Sequence, residues 1–416
     1  MASRVSGGGR PSTTYYGDLT SHASRPTTSR SRTGQRPRTG ASSVGVQHGQ
    51  EIICALSESR GVSPTVGLAF INLTTAEAVL SQICDNQTYV RTVTKINCFN
   101  PSQILVMNTA MNPESKMVSI VEENVGYAQL ISLDRRYWAE TAGLEYITHL
   151  AFVEDVEAIR VSVGGNYFAT CCFAAALKYI ELGLSTTFVF HSLRISFQPS
   201  EGTMMIDLST IQSLELIQNL QNARSSDCLF GLLNETLTPM GSRNLRSNIL
   251  QPSTERHKLK ERFDALEELT SKEEMFFATR QALKPFLDVD KVLAALIVIK
   301  TDESLFFSEQ SINNVIKLKH FVNAVVPLYE ALAGARSPLL QSIRNLCAPH
   351  KVEAVQELIQ ETINNDVTYQ SQPLDLKNQR TYAVKAGVNG LLDVSRQTFK
   401  EATDDVYQLA EDLRRE

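Results

Sequence analysis

Two arginines three residues apart are the first groups in this sequence whose types and spacing could do chemistry. They are Arg243 and Arg246 in ETLTPMGSRNLRS, residues 235–247. On a helix, a three-residue step places both on one face. Paired guanidinium groups can hold a carboxylate or a phosphate. The turn before them is suited to starting such a helix. Thr238 can cap it, and Pro239 fits the first turn, where an N–H has no intrahelical partner. Gly241, Leu245 and Ile249 fall on another face, a small residue with two aliphatics, which suits close helix packing. No catalytic group lies nearby. The reading favoured for Arg243 and Arg246 is therefore an ion pair with a neighbouring helix, and a phosphate grip is the alternative.

Other reactive groups are sparse. The histidines stand at 22, 48, 149, 191, 257, 320 and 350, and no two are a helical turn apart, so no helical metal pair exists. His149 and His191 lie in apolar stretches and read as core histidines. The seven cysteines, at 54, 84, 98, 171, 172, 228 and 347, are odd in number and form no C-x-x-C. Most lie in apolar runs, as buried reduced thiols do. No Gly-Lys dipeptide occurs, so no phosphate-cradling GxxxxGK[ST] loop is present. The VGGN at 163–166 reads as a turn that starts a helix. A metal-dependent nuclease needs carboxylates projecting from adjacent strands, and the candidate strands IICAL and TVGLAFINL carry none. Glu51 and Glu58 only flank the first. No catalytic, metal or cofactor residue is expected in this chain, which reads as a non-enzyme.

The elements that must position these groups are of two kinds. The chain has 416 residues, 43% hydrophobic and 20% charged, with a net charge of -5. Residues 1–48 are Ser, Thr, Gly, Arg and Pro, too poor in large apolar side chains to offset their ordering entropy, and read as a disordered basic tail. From 49 to 155 an α/β unit is expected. IICALSE and TVGLAFINL form a hairpin around SRGVSP, and AEAVLSQICD is a third strand. A helix runs through Val90, Val93 and Ile96. Strands follow at Ile104–Met107 and at KMVSIVE. Three neighbouring strands followed by strand–helix alternation fit an RNase H-like layer.

From 156 to 416 the period is mostly helical. FATCCFAAALKYIELG is apolar nearly all round and reads as a core helix. LRISFQPSEGTMMID, residues 193–207, reads as a hairpin. Ser271 with Glu274 reads as a capping box. Leu259, Phe263 and Leu266 form one stripe, Ile312, Val315, Ile316, Lys319 and Val322 another, and Val352, Val355, Leu358 and Ile359 a third. Leu392, Phe399, Val406 and Leu413 are seven apart, with Ser395, Ala402 and Leu409 between them. That is a heptad seam, which requires a neighbouring helix, and the chain reads as cut in mid-helix. The longest apolar run, Val292–Ile299, is too short to span a bilayer, so no membrane partner is expected.

Two runs resemble the MutS family. MIDLSTIQSLELIQNL (205–220) followed by LLNETLTPMGSRNLRSNILQP (232–252) is similar to the start of its core, or lever, domain. At its centre stand Thr238, Pro239, Met240, Gly241, Ser242 and Arg243. YAVKAGVNGLLDVSRQTF (382–399) is similar to the segment that opens the long lever helix, through Gly387, Asn389, Leu392, Asp393 and Arg396. VGLAFINLTTAEA and NPSQILV are similar to the connector domain. The resemblance implies an α+β multidomain chain: an RNase H-like α/β connector, then a mostly α-helical core or lever that ends at the start of the clamp arm.

Mismatch-repair members carry a mismatch-reading domain with a Phe-x-Glu wedge. Here the tail leads straight into the connector. The Phe-x-Glu matches at Phe152/Glu154, Phe307/Glu309 and Phe399/Glu401 lie at or beyond its end. The chain therefore looks like the meiotic type. That implies a DNA-clamp subunit of meiotic crossing-over, paired with MutS homologue five and working with MutL-type meiotic proteins on nuclear meiotic chromosomes. It would bind Holliday junctions and other branched or duplex DNA under the control of ATP and Mg, with the ATPase beyond residue 416. The tail arginines Arg25, Arg30, Arg32, Arg36 and Arg38 are candidate DNA contacts. The alternatives are a mismatch-repair homologue that binds mismatched DNA, a partner-binding module without DNA binding, and a structure-specific nuclease.

Overall fold

Three apolar runs with turn residues between them fold as the expected meander. In the computed structural model, which describes residues 50–59, 64–199, 201–300 and 305–415, β1 (Ile52–Glu58) pairs antiparallel with β2 (Thr65–Asn72), and β2 with β3 (Glu77–Cys84). α1 (Val90–Phe99) then returns the chain to β4 (Gln103–Met107), parallel to β1. α2 (Asn108–Met111) and α3 (Lys116–Asn124) lead to β5 (Gln129–Leu133), parallel to β4. Both faces of the sheet are covered, so β1 is buried from Ile52 through Ser57 rather than alternating. Ile52, Cys54 and Leu56 face α1 and α3, while Ile53 and Ala55 face the opposite layer.

That opposite layer is built from α4 (Glu140–Leu150), α5 (Val156–Val163) and α6 (Tyr167–Gly183). α6 is the expected core helix, with Cys172, Phe173, Ala175 and Ala176 at 0% exposure. It lies so close to β2 that a Cβ on Gly67 would stand 2.3 Å from the Phe168 carbonyl carbon. After β6 (Thr186–Phe188), β7 (Arg194–Phe197) adds to the sheet parallel to β3. The strand order is β5-β4-β1-β2-β3-β7. The α/β layer thus continues past 155, where the sequence reading placed its end, because α6 and β7 have no other core to bury against.

Three expectations about secondary structure are corrected. KMVSIVE is the helix α3. Ser115 caps it by accepting the Val118 N–H, and Met117, Val118 and Val121 are buried at helical spacing. Residues 193–207 form no hairpin. β7 pairs with β3, and Thr203 bridges Ser253 instead. The capping box at Ser271 is not made, since the Ser271 hydroxyl bonds back to the Glu267 carbonyl and closes the preceding helix.

The remaining chain is helical. α7 (Leu208–Ser213), α8 (Leu229–Leu233) and α9 (Pro239–Leu250) lead into α10 (Arg256–Ser271), α11 (Glu273–Leu283) and α12 (Val289–Ile297). β8 (Val298–Lys300) pairs antiparallel with β6 and so ties the helical part to the sheet layer. The beam of this part is α13 (Leu305–Ala331), followed by α14 (Pro338–Leu346), α15 (Glu353–Thr362), α16 (Pro373–Tyr382) and α17 (Gly390–Arg415). α13 packs against α11, α12, α15 and α16. Its Ile316 and Val322 are buried, as the mixed stripe requires. The Leu259, Phe263 and Leu266 stripe is not a core face, because Phe263 and Leu266 are exposed and Ala265 is buried in their place. Of the third stripe, Ile359 is buried, while Val355 and Leu358 are exposed.

Glu268 joins α10 to α14. Its carboxylate accepts the Arg336 N–H at 2.7 Å, the Ser337 N–H at 2.6 Å and Lys272 Nζ at 2.7 Å. Burial pushes its pKa up, but the Lys272 and backbone N–H bonds outweigh that and hold it at about 2, against an ordinary 4.5. A depressed carboxyl pKa stabilises the fold above the ordinary value, and that stability is lost as pH falls through the folded value. Glu268→Gln is expected to cost roughly 1–3 kcal/mol at neutral pH. The wild-type advantage should shrink between pH 4.5 and 2. Urea titrations of both proteins across pH check this, and a difference that does not change with pH would contradict it.

Candidate functional site: two arginine joints

The opening motif starts α9 as its residues dictate. Thr238 is the cap, its hydroxyl accepting the Gly241 N–H at 3.1 Å, and Pro239 occupies the first turn. Asn234 Nδ2 donates to the Ser242 hydroxyl at 3.3 Å. Gly241 does not serve a helix crossing. A Cβ there would meet Thr238 Oγ1 at 3.0 Å and Thr236 Cβ at 3.5 Å, so it faces its own capping turn. The buried positions of α9 are Arg246 and Leu250, not Leu245 and Ile249.

The two arginines fan apart to different partners. Arg243 donates to Asp288 through two bonds, Nη1 to Oδ2 at 2.8 Å and Nη2 to Oδ1 at 2.7 Å. Its Nη2 also reaches Asp290 Oδ2 at 2.8 Å. Side chains in this triad are 18–22% exposed. Both aspartates stand at the start of α12, where the helix dipole favours negative charge. Burial pushes the Asp288 pKa up, but the Arg243 bonds and charge bring it below the usual range. Arg194, from β7, approaches Asp290 at 3.6 Å and carries the network to the sheet edge. The expected ion pair with a neighbouring helix is present for Arg243.

Arg246 pairs with no carboxylate among the described residues. It is 8% exposed, and its Nη1 donates to the Cys98 carbonyl at 3.3 Å. Cys98 lies in the last turn of α1, where carbonyls lack helical donors and a cation is favoured. Leu250 packs beside it with Cys98, Ile211, Leu216 and Ile217. α9 therefore joins α1 of the sheet layer to α12 of the helical part.

The second motif builds another joint. Gly387 has φ +88°, a left-handed conformation that favours glycine, and its N–H donates to Asp393 Oδ2 at 2.8 Å. Asn389 Oδ1 accepts the Leu392 N–H at 3.1 Å, at the first turn of α17. Arg396 donates through Nη1 to Asp393 Oδ1 at 3.1 Å and through Nη2 to the Val384 carbonyl at 2.8 Å. Its Nε donates to the Thr381 carbonyl in the last turn of α16. Leu392 is half-buried. Beyond this anchor the seam lies open, with Phe399 51% and Val406, Leu409 and Leu413 60–64% exposed.

Arg25, Arg30, Arg32, Arg36 and Arg38 lie outside the described residues. His149 and His191 are exposed, not core, and His191 Nδ1 lies 2.9 Å from the Ala151 carbonyl oxygen. Among the described residues no group of three His, Cys, Asp or Glu side chains could hold a metal ion. The sequence reading missed Asp288, Asp290 and Arg194. Its usable signal was the Asp-Val-Asp at 288–290, acid at a helix start.

Arg243→Ala strands two largely buried carboxylates and is expected to cost roughly 3 kcal/mol. Arg243→Lys should restore little, since an ammonium lacks the planar fork. A double-mutant cycle with Asp288→Ala, read by thermal melting, should return a coupling of about 0.5–3 kcal/mol. Unchanged stability with weakened DNA binding would assign Arg243 to a phosphate instead. At the second joint, an added Cβ on Gly387 meets nothing within 4 Å. Gly387→Ala should therefore cost only the backbone term, about 1–2 kcal/mol, and a larger loss would show that the glycine does more.

Comparison with known proteins bears on what these joints belong to. The model of MutS domain II matches residues 51–189, and that of MutS domain III matches residues 209–416. MutS protein homolog 4 of Homo sapiens is 36% identical over 369 residues, 88% of this chain and 39% of that protein. Its namesake in Saccharomyces cerevisiae is 33% identical over 404 residues, 94% of this chain and 45% of that protein. The DNA mismatch repair protein MutS of Methanosarcina barkeri is 24% identical over 337 residues, 79% of this chain and 34% of that protein. The chain thus spans less than half the length of these relatives. Carrying MutS domains II and III in order, with both lever motifs seated at helix starts, the chain belongs to the MutS family.

Proposed function

We propose that this chain supplies the connector and lever of a MutS-type DNA-clamp subunit that acts in meiotic crossing-over. With MutS homologue five it embraces Holliday junctions and other branched or duplex DNA on nuclear meiotic chromosomes, in concert with MutL-type proteins. ATP and Mg act at an ATPase outside these two domains, and the chain itself carries no catalysis. The observation that carries this reading is the strut from the Arg243 joint through α12, α13 and α16 to the Arg396 joint, which ends on a long helix with an open seam. The choice of the meiotic over the mismatch-repair type is supported by 36% identity to the human homolog 4 against 24% to the archaeal mismatch repair protein.

Junction binding tests the proposal. Affinity for a four-way junction and for a linear duplex is measured against salt, with and without MutS homologue five, for the full chain and for one lacking residues 1–48. A junction preference that strengthens with the partner and falls steeply with salt is expected. If the five tail arginines contact phosphates, the deletion should reduce the salt slope by about 4. An unchanged slope would exclude the tail as a DNA arm. No junction binding under either condition would overturn the clamp reading. Magnesium-dependent cleavage of the junction, abolished by Glu51→Gln, would replace it with the nuclease.

A further inference from the structure

β5 is the last strand at one end of the sheet, and among the described residues no strand lies beyond it. Its Gln129 N–H donates to the Ser102 carbonyl across the parallel ladder with β4. In such a ladder every second residue turns both of its backbone groups to the same neighbour. Gln129, Ile131 and Leu133 therefore bond to β4, and Leu130 and Ser132 turn their N–H and C=O groups away from the sheet. Gln129 and Ser132 are exposed, and Leu130, Ile131 and Leu133 are half-buried.

A free edge is a template for another strand, and folds usually blunt it with charge, proline, brevity or a covering helix. The opposite edge follows that rule. β7 spans four residues, carries Arg194 and packs against α5. β5 has neither a charge nor a proline in Gln-Leu-Ile-Ser-Leu. The charges stand at its two ends and differ in sign. The chain approaches β5 through exposed Glu122 and Glu123 and leaves it through exposed Arg135 and Arg136. Asp134 answers one of these, at 3.8 Å from Arg136, so Arg135 is the surplus at that end. A second copy of the strand laid antiparallel puts approach beside exit, acid beside base. Laid parallel, it puts like beside like.

We propose that the β5 edge is an interface between two copies of this chain, paired antiparallel about a two-fold axis at Ile131. Leu130 of each copy then faces Ser132 of the other, and each such pair exchanges both of its N–H···O bonds. Ile131 meets its own symmetry mate on the axis, which covers an apolar side chain at the rim of the core. The contact is isologous, so it closes at two copies and makes one continuous sheet. A strand of five residues is about 17 Å long. So short a contact gives a weak, micromolar dimer and not an obligate one. The proposal rests on the sheet edge and does not require the DNA-clamp reading.

The test follows the full chain by sedimentation equilibrium over a concentration series, with hydrogen exchange at the same concentrations. Reversible dimerisation is expected, with slower exchange of the Leu130 and Ser132 amides as the dimer forms. Ser132→Pro removes an outward N–H and no ladder bond, so melting of the dilute monomer should change little. It deletes half of the bonds across the axis and should weaken association by about tenfold or more. Arg135→Glu with Arg136→Glu should weaken it as well, and adding Glu122→Arg with Glu123→Arg should restore it. All four of these side chains are exposed, so the core is left intact. A chain that stays monomeric throughout the series, whether or not the edge takes an extended peptide of another protein, would overturn the proposal. So would a dimer that survives Ser132→Pro and the arginine reversal unchanged, or one that forms with no change in exchange at β5.

Discussion

One guanidinium shared between two aspartates fixes how the halves of this chain are joined. Arg243 reaches Asp288 and Asp290 at 2.7–2.8 Å, and both stand where α12 begins. The apolar core on that side is small: Cys98, Ile211, Leu216, Ile217 and Leu250 are its buried members. Apolar contact is tolerant of sliding, whereas a planar fork on two carboxylates fixes distance and angle together. Charged pairs at this depth add little net stability, because desolvation offsets attraction. Their contribution here is geometry. α12 cannot rotate against α9 without stranding charge, and α12 packs on the beam α13.

The second joint applies the same fork to one carboxylate and two backbone carbonyls. Arg396 spends its donors on Asp393 and on the carbonyls of Thr381 and Val384. Those carbonyls close α16, which packs on α13. Each motif sets the start of a helix with a small cap and then uses an arginine one or two turns inside to lock that helix to its neighbour. This explains why the residues that identify the family carry no reactive chemistry. They are positions where backbone direction is decided, and a helix that leaves its joint at the wrong angle misplaces everything beyond it.

Those joints were legible to different degrees. Thr238 and Pro239 announced α9 because a cap and a first-turn proline act within four residues, and the hairpin of β1 and β2 followed from two β-rich apolar runs on either side of a turn cluster. What failed needed knowledge of the third dimension. KMVSIVE is rich in β-branched residues, Val118, Ile120 and Val121, yet the Ser115 cap and the sheet face beneath it select a helix. LRISFQPSEGTMMID carried turn residues at its centre, but β3 offered its first half an open edge. β6 and β8 are three residues each, too short to show a period. For the arginines, spacing put both on one face, but side chains this long choose partners by what packs around them. Arg246 was drawn to a helix end and Arg243 to a helix start.

The open seam of α17 follows from the same economy of contacts. α17 has no buried residue. Among the described residues, it is held beyond Arg396 chiefly by its own ladder and by pairs such as Gln397 with Glu401 and Arg415 with Glu411. Pairs of this kind contribute a few tenths of a kcal/mol each. Its direction is therefore set almost wholly at its base, where Gly387, Asn389, Asp393 and Arg396 hold it. A helix of 26 residues is about 39 Å long, so a tilt of about 10° at that base would move its far end by roughly 7 Å. The geometry of the Arg396 bonds is thus magnified along the arm. The same magnification would carry a small shift at the Arg243 joint, passed through α12, α13 and α16, out to the exposed leucines and to whatever helix packs against them.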